Sequence, residues 1–286
     1  MQDVQAWADS RQVSVQRVGI KEIQLPWKIL QQDGQAQTVS ATISVSADLS
    51  HEHKGSHMSR FLEVLEQWKD QPCSGPQLVD ALAEVRQRLD AASAYLNMRF
   101  RYFVTKQAPV SGKPSTMGYP CRLVAALTPS SFDLMAGVEV PITTLCPCSK
   151  AISDAGAHSQ RSWMRVNVRP QHGAELWIED LIHQLESLGS CEVYPLLKRP
   201  DEKYVTERAY NNPKFVEDVV RDVVLALRQS PGIGWFEVEC EAAESIHPHS
   251  AFAYQQEPLP ADLPAVSVNG NGAYTAAETS GLTAPR

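Results

Sequence analysis

Two thiols, an imidazole and two cations fall within sixteen positions, as Cys146, Cys148, Lys150, His158 and Arg161 in Thr144-Leu145-Cys146-Pro147-Cys148-Ser149-Lys150 and Gly156-Ala157-His158-Ser159-Gln160-Arg161. Thiolate and imidazole are soft and borderline ligands for zinc-like ions, and either also serves as nucleophile or proton shuttle. A closed structural zinc centre uses hooks such as Cys-x-x-Cys, whereas Cys146-x-Cys148 is one residue shorter and no second cysteine pair follows. The next ligand types downstream are oxygens and imidazoles, in Asp201-Glu202-Lys203, Glu217-Asp218 and Glu244-Ser245-Ile246-His247-Pro248-His249. That mixture suits a catalytic ion with an open position better than a closed one. Free cysteines often merely pack as small apolar residues. Here the flanking Lys150 and Arg161 and the distal Glu244-x-x-His247 favour the functional reading.

The elements that must position these residues show in the hydrophobic periodicity. Val39 to Ala47 alternates apolar and polar and reads as a strand; Val13 to Leu25 is a second, with Asp33-Gly34 supplying turn chemistry between them. Ser56 is a candidate cap for a helix with Met58, Phe61, Leu62, Leu65 and Trp68 on one face, broken at Cys73-Ser74-Gly75-Pro76. A second stripe, Leu78, Leu82, Val85, Leu89, Ala92 and Leu96, predicts another helix, and strands follow near 101–110, 121–127 and 134–144. After the Cys-x-Cys segment the order repeats. Met164, Val166 and Val168 mark a strand; Leu176 to Leu188 a helix ended by Gly189; Asn212 and Pro213 open a helix carrying Phe215, Val216, Val219, Val220, Val223, Val224 and Leu227; and Phe236 to Ala242 alternates as a strand. The reading is α+β, two tandem ββααββ modules over residues 11–130 and 131–257, after an extension 1–10 and before a Pro- and Gly-rich tail 258–286 expected to be disordered.

A chain of 286 residues, 43% hydrophobic and 21% charged, can bury a sizeable core. Its net charge of −7 argues against nucleic-acid or membrane-surface binding and leaves room for a local basic pocket that takes a small anion. No apolar run reaches membrane-spanning length and the start has no signal-peptide pattern, so cytoplasm is the expectation, with Cys73, Cys121, Cys191 and Cys240 unpaired.

With Leu145 to Lys150 and Gly156 to Arg161, three further blocks carry a resemblance: Lys54-Gly55-Ser56-His57-Met58-Ser59-Arg60-Phe61; Tyr194 to Glu207 continuing to Asn212-Pro213-Lys214-Phe215-Val216-Glu217-Asp218; and Glu244-Ser245-Ile246-His247. The chain resembles the prokaryotic GTP cyclohydrolases of type IB from about residue 10 to 255. The resemblance implies a tunnelling fold with antiparallel sheets and helices on one face, and a homotetramer with active sites at subunit interfaces. It also implies conversion of GTP and water to 7,8-dihydroneopterin triphosphate and formate, the entry to tetrahydrofolate synthesis. The implied metal is Zn2+, with Mn2+ or Fe2+ as substitutes.

On the family pattern the ligands are Cys146, Glu202, Glu244 and His247. Cys148 becomes a second thiol near C8, and His158 the proton shuttle or a fourth ligand. Glu217 becomes the acceptor for guanine N1–H and the 2-amino group, against the alternative that it merely complements a helix dipole. The pool for the triphosphate is Lys150, Arg161, Arg60, His57, Lys198, Arg199 and Lys203. Each basic residue is by default a solvated charge, as is Glu202 within its charged run. Three other readings stand beside this one: a same-fold enzyme making a cyclic-phosphate pterin; a thiol-dependent nitrile reductase, whose Glu-Ser-Lys-Ser segment is missing here; and a non-catalytic purine- or metal-binding protein on the same scaffold.

Overall fold

Alternation builds most of the molecule. In a computed structural model describing residues 5, 7–171, 174–257, 266–268 and 274–276, the main sheet has nine strands. The first six elements are β1 (Val15–Leu30), β2 (Ala36–Leu49), α1 (Met58–Trp68), α2 (Gly75–Leu89), β3 (Ala94–Gln107) and β4 (Pro114–Leu127). Then come β5 (Phe132–Leu145), α3 (Pro147–Ile152), β6 (Ser159–Pro170), α4 (Ile178–Glu186), β7 (Cys191–Glu192), α5 (Arg199–Asn211), α6 (Val216–Gln229), β8 (Ile233–Ala243) and β9 (Ser250–Glu257). The sheet runs β1-β2-β3-β4-β5-β6-β8-β9 with β7 against β5, and its strand pairs are antiparallel. Both halves therefore follow ββααββ order, the second with α3, β7 and α5 added. The tail lies outside the described residues except for β10 (Val266–Val268) and β11 (Tyr274–Ala276), which pair with each other.

Val124, Met135 and Trp235 form a smaller buried cluster of their own, and one face of the long strands goes into the main apolar core. On β3 it is Ala94, Leu96, Met98, Phe100, Tyr102, Val104 and then Lys106; on β8 it is Phe236, Val238, Cys240 and Ala242. These pack with Phe61, Val64 and Leu65 of α1, Leu78, Leu82 and Val85 of α2, Leu181, Ile182 and Leu185 of α4, and Val219, Val223 and Leu227 of α6. The alternate residues make a charged face without helices, where Arg165 reaches Glu139, Glu239 and Glu241 at 2.9, 2.7 and 2.8 Å. None of the described helices is long and apolar enough to cross a membrane.

Several boundaries differ from the sequence expectation, each for a local reason. The Asp33-Gly34 turn forms as expected, with Gly34 at φ 82°. Helix α1 takes His57, not Ser56, as its N-cap residue. Helix α2 stops at Leu89 because Asp90 adopts the left-handed conformation, φ 51° and ψ 47°, and Leu96 belongs to β3. Gly189 does not cap α4; a Cβ there would lie 2.8 Å from the Ile142 side chain, so it is a close-packing glycine. Asn212 ends α5 instead of starting α6, donating to the carbonyls of Gly189 and Ser190, and Pro213 lies in the linker before α6 begins at Val216.

Candidate active site

Strand register gathers the chemistry at one end of four neighbouring strands. Leu145 of β5 pairs with Ser159 of β6, Ser162 of β6 with Ala242 of β8, and Ala243 of β8 with Ser250 of β9. Cys146 therefore follows β5, His158 precedes β6, Glu244 follows β8 and His247 sits in the β8–β9 turn, with its amide 3.4 Å from the Glu244 carbonyl. The start of α6 comes to the same end, since Lys214 N–H donates to Leu145 O at 3.1 Å.

Hydrogen bonds order this cluster from within. Cys146 is the N-cap of the short α3, its Sγ accepting from Ser149 N–H at 3.4 Å; Ser149 Oγ in turn accepts from His158 N–H at 3.2 Å. Gln160 Nε2 faces Thr144 Oγ1 at 3.2 Å and Glu244 Oε1 at 3.4 Å, and Thr144 Oγ1 lies 2.7 Å from Ser162 Oγ. A carboxylate only accepts, so the amide NH2 of Gln160 must point to Glu244, leaving Oε1 toward His158 Nδ1 at 3.0 Å. That contact places a proton on Nδ1, so that in the neutral imidazole Nε2 carries the lone pair, a tautomer assigned from the network. His158 Nδ1 also lies 3.8 Å from Glu244 Oε2, both side chains 16% exposed. Sequence reasoning missed Gln160, the second residue of β6, which lies two residues after His158.

The cysteines divide sharply. Burial pushes the thiols of Cys73, Cys121 and Cys240 up to about 12 and that of Cys191 to about 11, which suits them to packing alone. Cys146 is half-buried and Cys148 exposed. Glu217 is exposed in the first turn of α6 with no side-chain partner among the described residues, and the capping role falls to Asp218, whose carboxylate accepts from Phe215 N–H at 3.0 Å.

The structure does not bring together every expected site residue within one chain. Glu202, Lys198, Arg199 and Lys203 are exposed at the N-terminal end of α5, whose C-terminal end meets α3 through Lys150. Glu202 and Tyr210 are eight residues apart on that helix, about 12 Å of rise. Among the described residues no three Cys, His, Asp or Glu side chains form a metal-holding group, so the four expected ligands are not assembled in a single chain. The donor types at the strand ends, thiolate, imidazole and carboxylate, nevertheless suit a borderline divalent ion.

Several expected phosphate cations have other contacts. Lys150 donates to the Tyr210 carbonyl and lies 4.3 Å over its ring, Arg60 donates to the Arg88 carbonyl at 2.7 Å beside the end of α2, and Lys203 faces Glu207 at 3.7 Å. Arg161 is exposed on the strand face opposite His158 and Gln160, and His57 stands at the start of α1 in the first half of the chain.

Residues 1–253 match the family model described as type I GTP cyclohydrolase folE2. A protein named GTP cyclohydrolase FolE2 from Syntrophotalea carbinolica is 48% identical over 258 residues, covering 90% of this chain and 96% of its own length. Another of that name from Geobacter sulfurreducens is 46% identical over 253 residues, covering 88% and 96%. The designation is type I and folE2, which supersedes the type IB label suggested by the motifs. Among solved structures, uricase from Arthrobacter globiformis matches with a TM-score of 0.53 at 6% identity, covering 87% of this chain and 95% of that one. A uricase from Bacillus fastidious gives 0.51 at 9% identity, covering 85% and 92%. At such identities the likeness speaks for the fold alone, and the arrangement is the expected tunnelling fold.

Proposed function

The chain belongs to the type I GTP cyclohydrolase folE2 family, and from that membership we propose that it converts GTP and water to 7,8-dihydroneopterin triphosphate and formate in folate biosynthesis. The observation that supports this site is the convergence of Cys146, His158 and Glu244 at the ends of β5, β6 and β8, with Gln160 fixing the imidazole.

Releasing C8 of guanine as formate requires water to add at an unactivated ring carbon and protons to reach the ring nitrogens as their bonds to C8 break. A divalent cation, zinc with manganese or iron as substitutes, would be held by Cys146, Glu202, Glu244 and His247 drawn from more than one chain, and when bound would supply water of lowered pKa. The remaining tasks fall to side chains. His158 carries a proton on Nδ1 and offers Nε2 as the basic nitrogen that takes and returns a proton at the purine. Cys148, two residues beyond Cys146 and exposed, is the second thiol assigned to the same carbon in this reading. Glu217 accepts from guanine N1–H and the 2-amino group; adenine would leave those oxygens unpaired.

We further propose that the site is completed across an interface in a homotetramer. Glu202 supports this, because its helix end lies about 12 Å along α5 from Tyr210 and its side chain is exposed. Lys198, Arg199 and Lys203, on the same turn, would face the triphosphate from there, with Lys150, Arg161, Arg60 and His57 as the other candidates. Purified protein incubated with GTP and Zn2+, Mn2+ or Fe2+ should yield formate and, after oxidation, a fluorescent pterin. Neither product with any of the three metals would overturn the reading.

A further inference from the structure

Asp201 is fully buried in a run of otherwise exposed charged residues, and its carboxylate has four donors. Oδ1 accepts from Val110 N–H and Ser111 N–H, each at 2.8 Å, while Oδ2 accepts from Ser111 Oγ at 2.7 Å and Lys198 N–H at 2.8 Å. An aspartate at the third helical position commonly bonds back to the N-cap amide and leaves its other oxygen in water. Here that other oxygen grips the loop between β3 and β4, which Ala108, Gly112 and Lys113 close with their own backbone hydrogen bonds. One side chain thus caps α5 and ties it to a hairpin 90 residues away in the chain.

A second buried charge anchors the approach to this helix. Lys106, at the end of β3 and 7% exposed, donates to Val193 O at 2.7 Å, pairs with Glu186 and lies 4.4 Å over the Tyr194 ring. The end of β3 and the loop that follows it hold both Val193 and Asp201, so the intervening Tyr194 to Lys198 is fixed at each end by the first half of the chain.

We infer that Asp201 is a positioning residue for the reaction: by locking the first turn of α5 to the β3–β4 loop, it sets the direction in which Lys198, Arg199, Glu202 and Lys203 project toward substrate and cation. This rests on reading that turn as part of the active site. Asp201 touches neither substrate nor metal; it acts through its neighbours.

The test compares wild type with Asp201→Ala, Asp201→Asn and Ser111→Ala by amide exchange across 198–204, zinc retained after desalting, and kcat and KM for GTP. In Asp201→Ala, exchange across that turn should rise about tenfold or more with β6 and β8 unchanged, retained zinc should drop, and kcat should fall about 10- to 100-fold. Asp201→Asn keeps an acceptor for the loop amides and should recover part of both losses; Ser111→Ala removes one donor and should stay within about threefold of wild type. If Asp201→Ala does not fold, the two milder variants carry the comparison in the same direction. For Asp201→Ala, or for Asp201→Asn where the alanine variant does not fold, unchanged exchange, or raised exchange with retained zinc, kcat and KM within about twofold of wild type, overturns the inference. If wild type itself does not turn over GTP, the reading of the site fails, and exchange with zinc retention decides the positioning role alone.

Discussion

The strand-end cluster and the first turn of α5 reach order by opposite means. At the strand ends the sheet supplies the geometry: register brings Cys146, His158 and Glu244 together, and Gln160, Thr144 and Ser162 satisfy the polar atoms between them. At α5 there is almost no apolar stripe, only Asp201 and Ala209 being buried, and a single carboxylate holds the turn while Glu202, Lys198 and Lys203 stay exposed. The contrast teaches that one region is ordered by hydrogen bonds within the sheet and the other is a presented edge. Substitutions in the first should damage chemistry with little effect on stability, and those in the second should damage placement.

The largest effect separating the two is expected at His158. His158→Ala should lower kcat about 10^2- to 10^4-fold with the melting temperature nearly unchanged, measured by formate release and thermal unfolding. Equal losses from His158→Ala and from a conservative change at Lys203 would erase the distinction. Next comes Gln160→Leu, which removes the acceptor fixing Nδ1–H and should cost about 10- to 100-fold in kcat and move the pH–rate profile. A profile identical to wild type would show that the amide does not set the tautomer.

Glu217→Ala tests the substrate edge. Losing hydrogen bonds to a charged acceptor, each of about 1.5–3 kcal/mol, should lower kcat/KM for GTP by roughly 10-fold or more and weaken discrimination against ATP. The smallest expected effect concerns pH and stability. Burial would raise the Asp201 carboxyl, but the bonds from Ser111, Lys198 and Val110 outweigh it and hold it well below the ordinary carboxylate range. A depressed carboxylate stabilises the fold above its unfolded value and loses that contribution as pH falls. The melting-temperature gap between wild type and Asp201→Asn should therefore be constant near neutrality and narrow below about pH 4. A gap that widens on acidification would reverse the sign.

Much of the strand-end site was legible because thiols, an imidazole and a distal Glu-x-x-His are types that packing seldom demands together, and because alternation announces strands. Gln160 was not, since an amide signals nothing until its neighbours are known. Helix α5 escaped periodicity for the reason Asp201 matters: the helix is held by polar contacts rather than an apolar face. The α6 boundary misled because Asn212-Pro213 has the composition of a helix start, while its amide is used to close the end of α5 over Gly189 and Ser190. Arg60 and Lys150 show the same gap, as a cation capping carbonyls and one available to phosphate look alike in a sequence.

The central claim is that Cys146 anchors the cation on which ring opening depends. Metal content and formate release measured together in wild type and Cys146→Ser test it most directly. The account predicts stoichiometric metal and turnover in wild type, and loss of both in a variant that remains folded. Full metal retention with undiminished formate release in Cys146→Ser would contradict it.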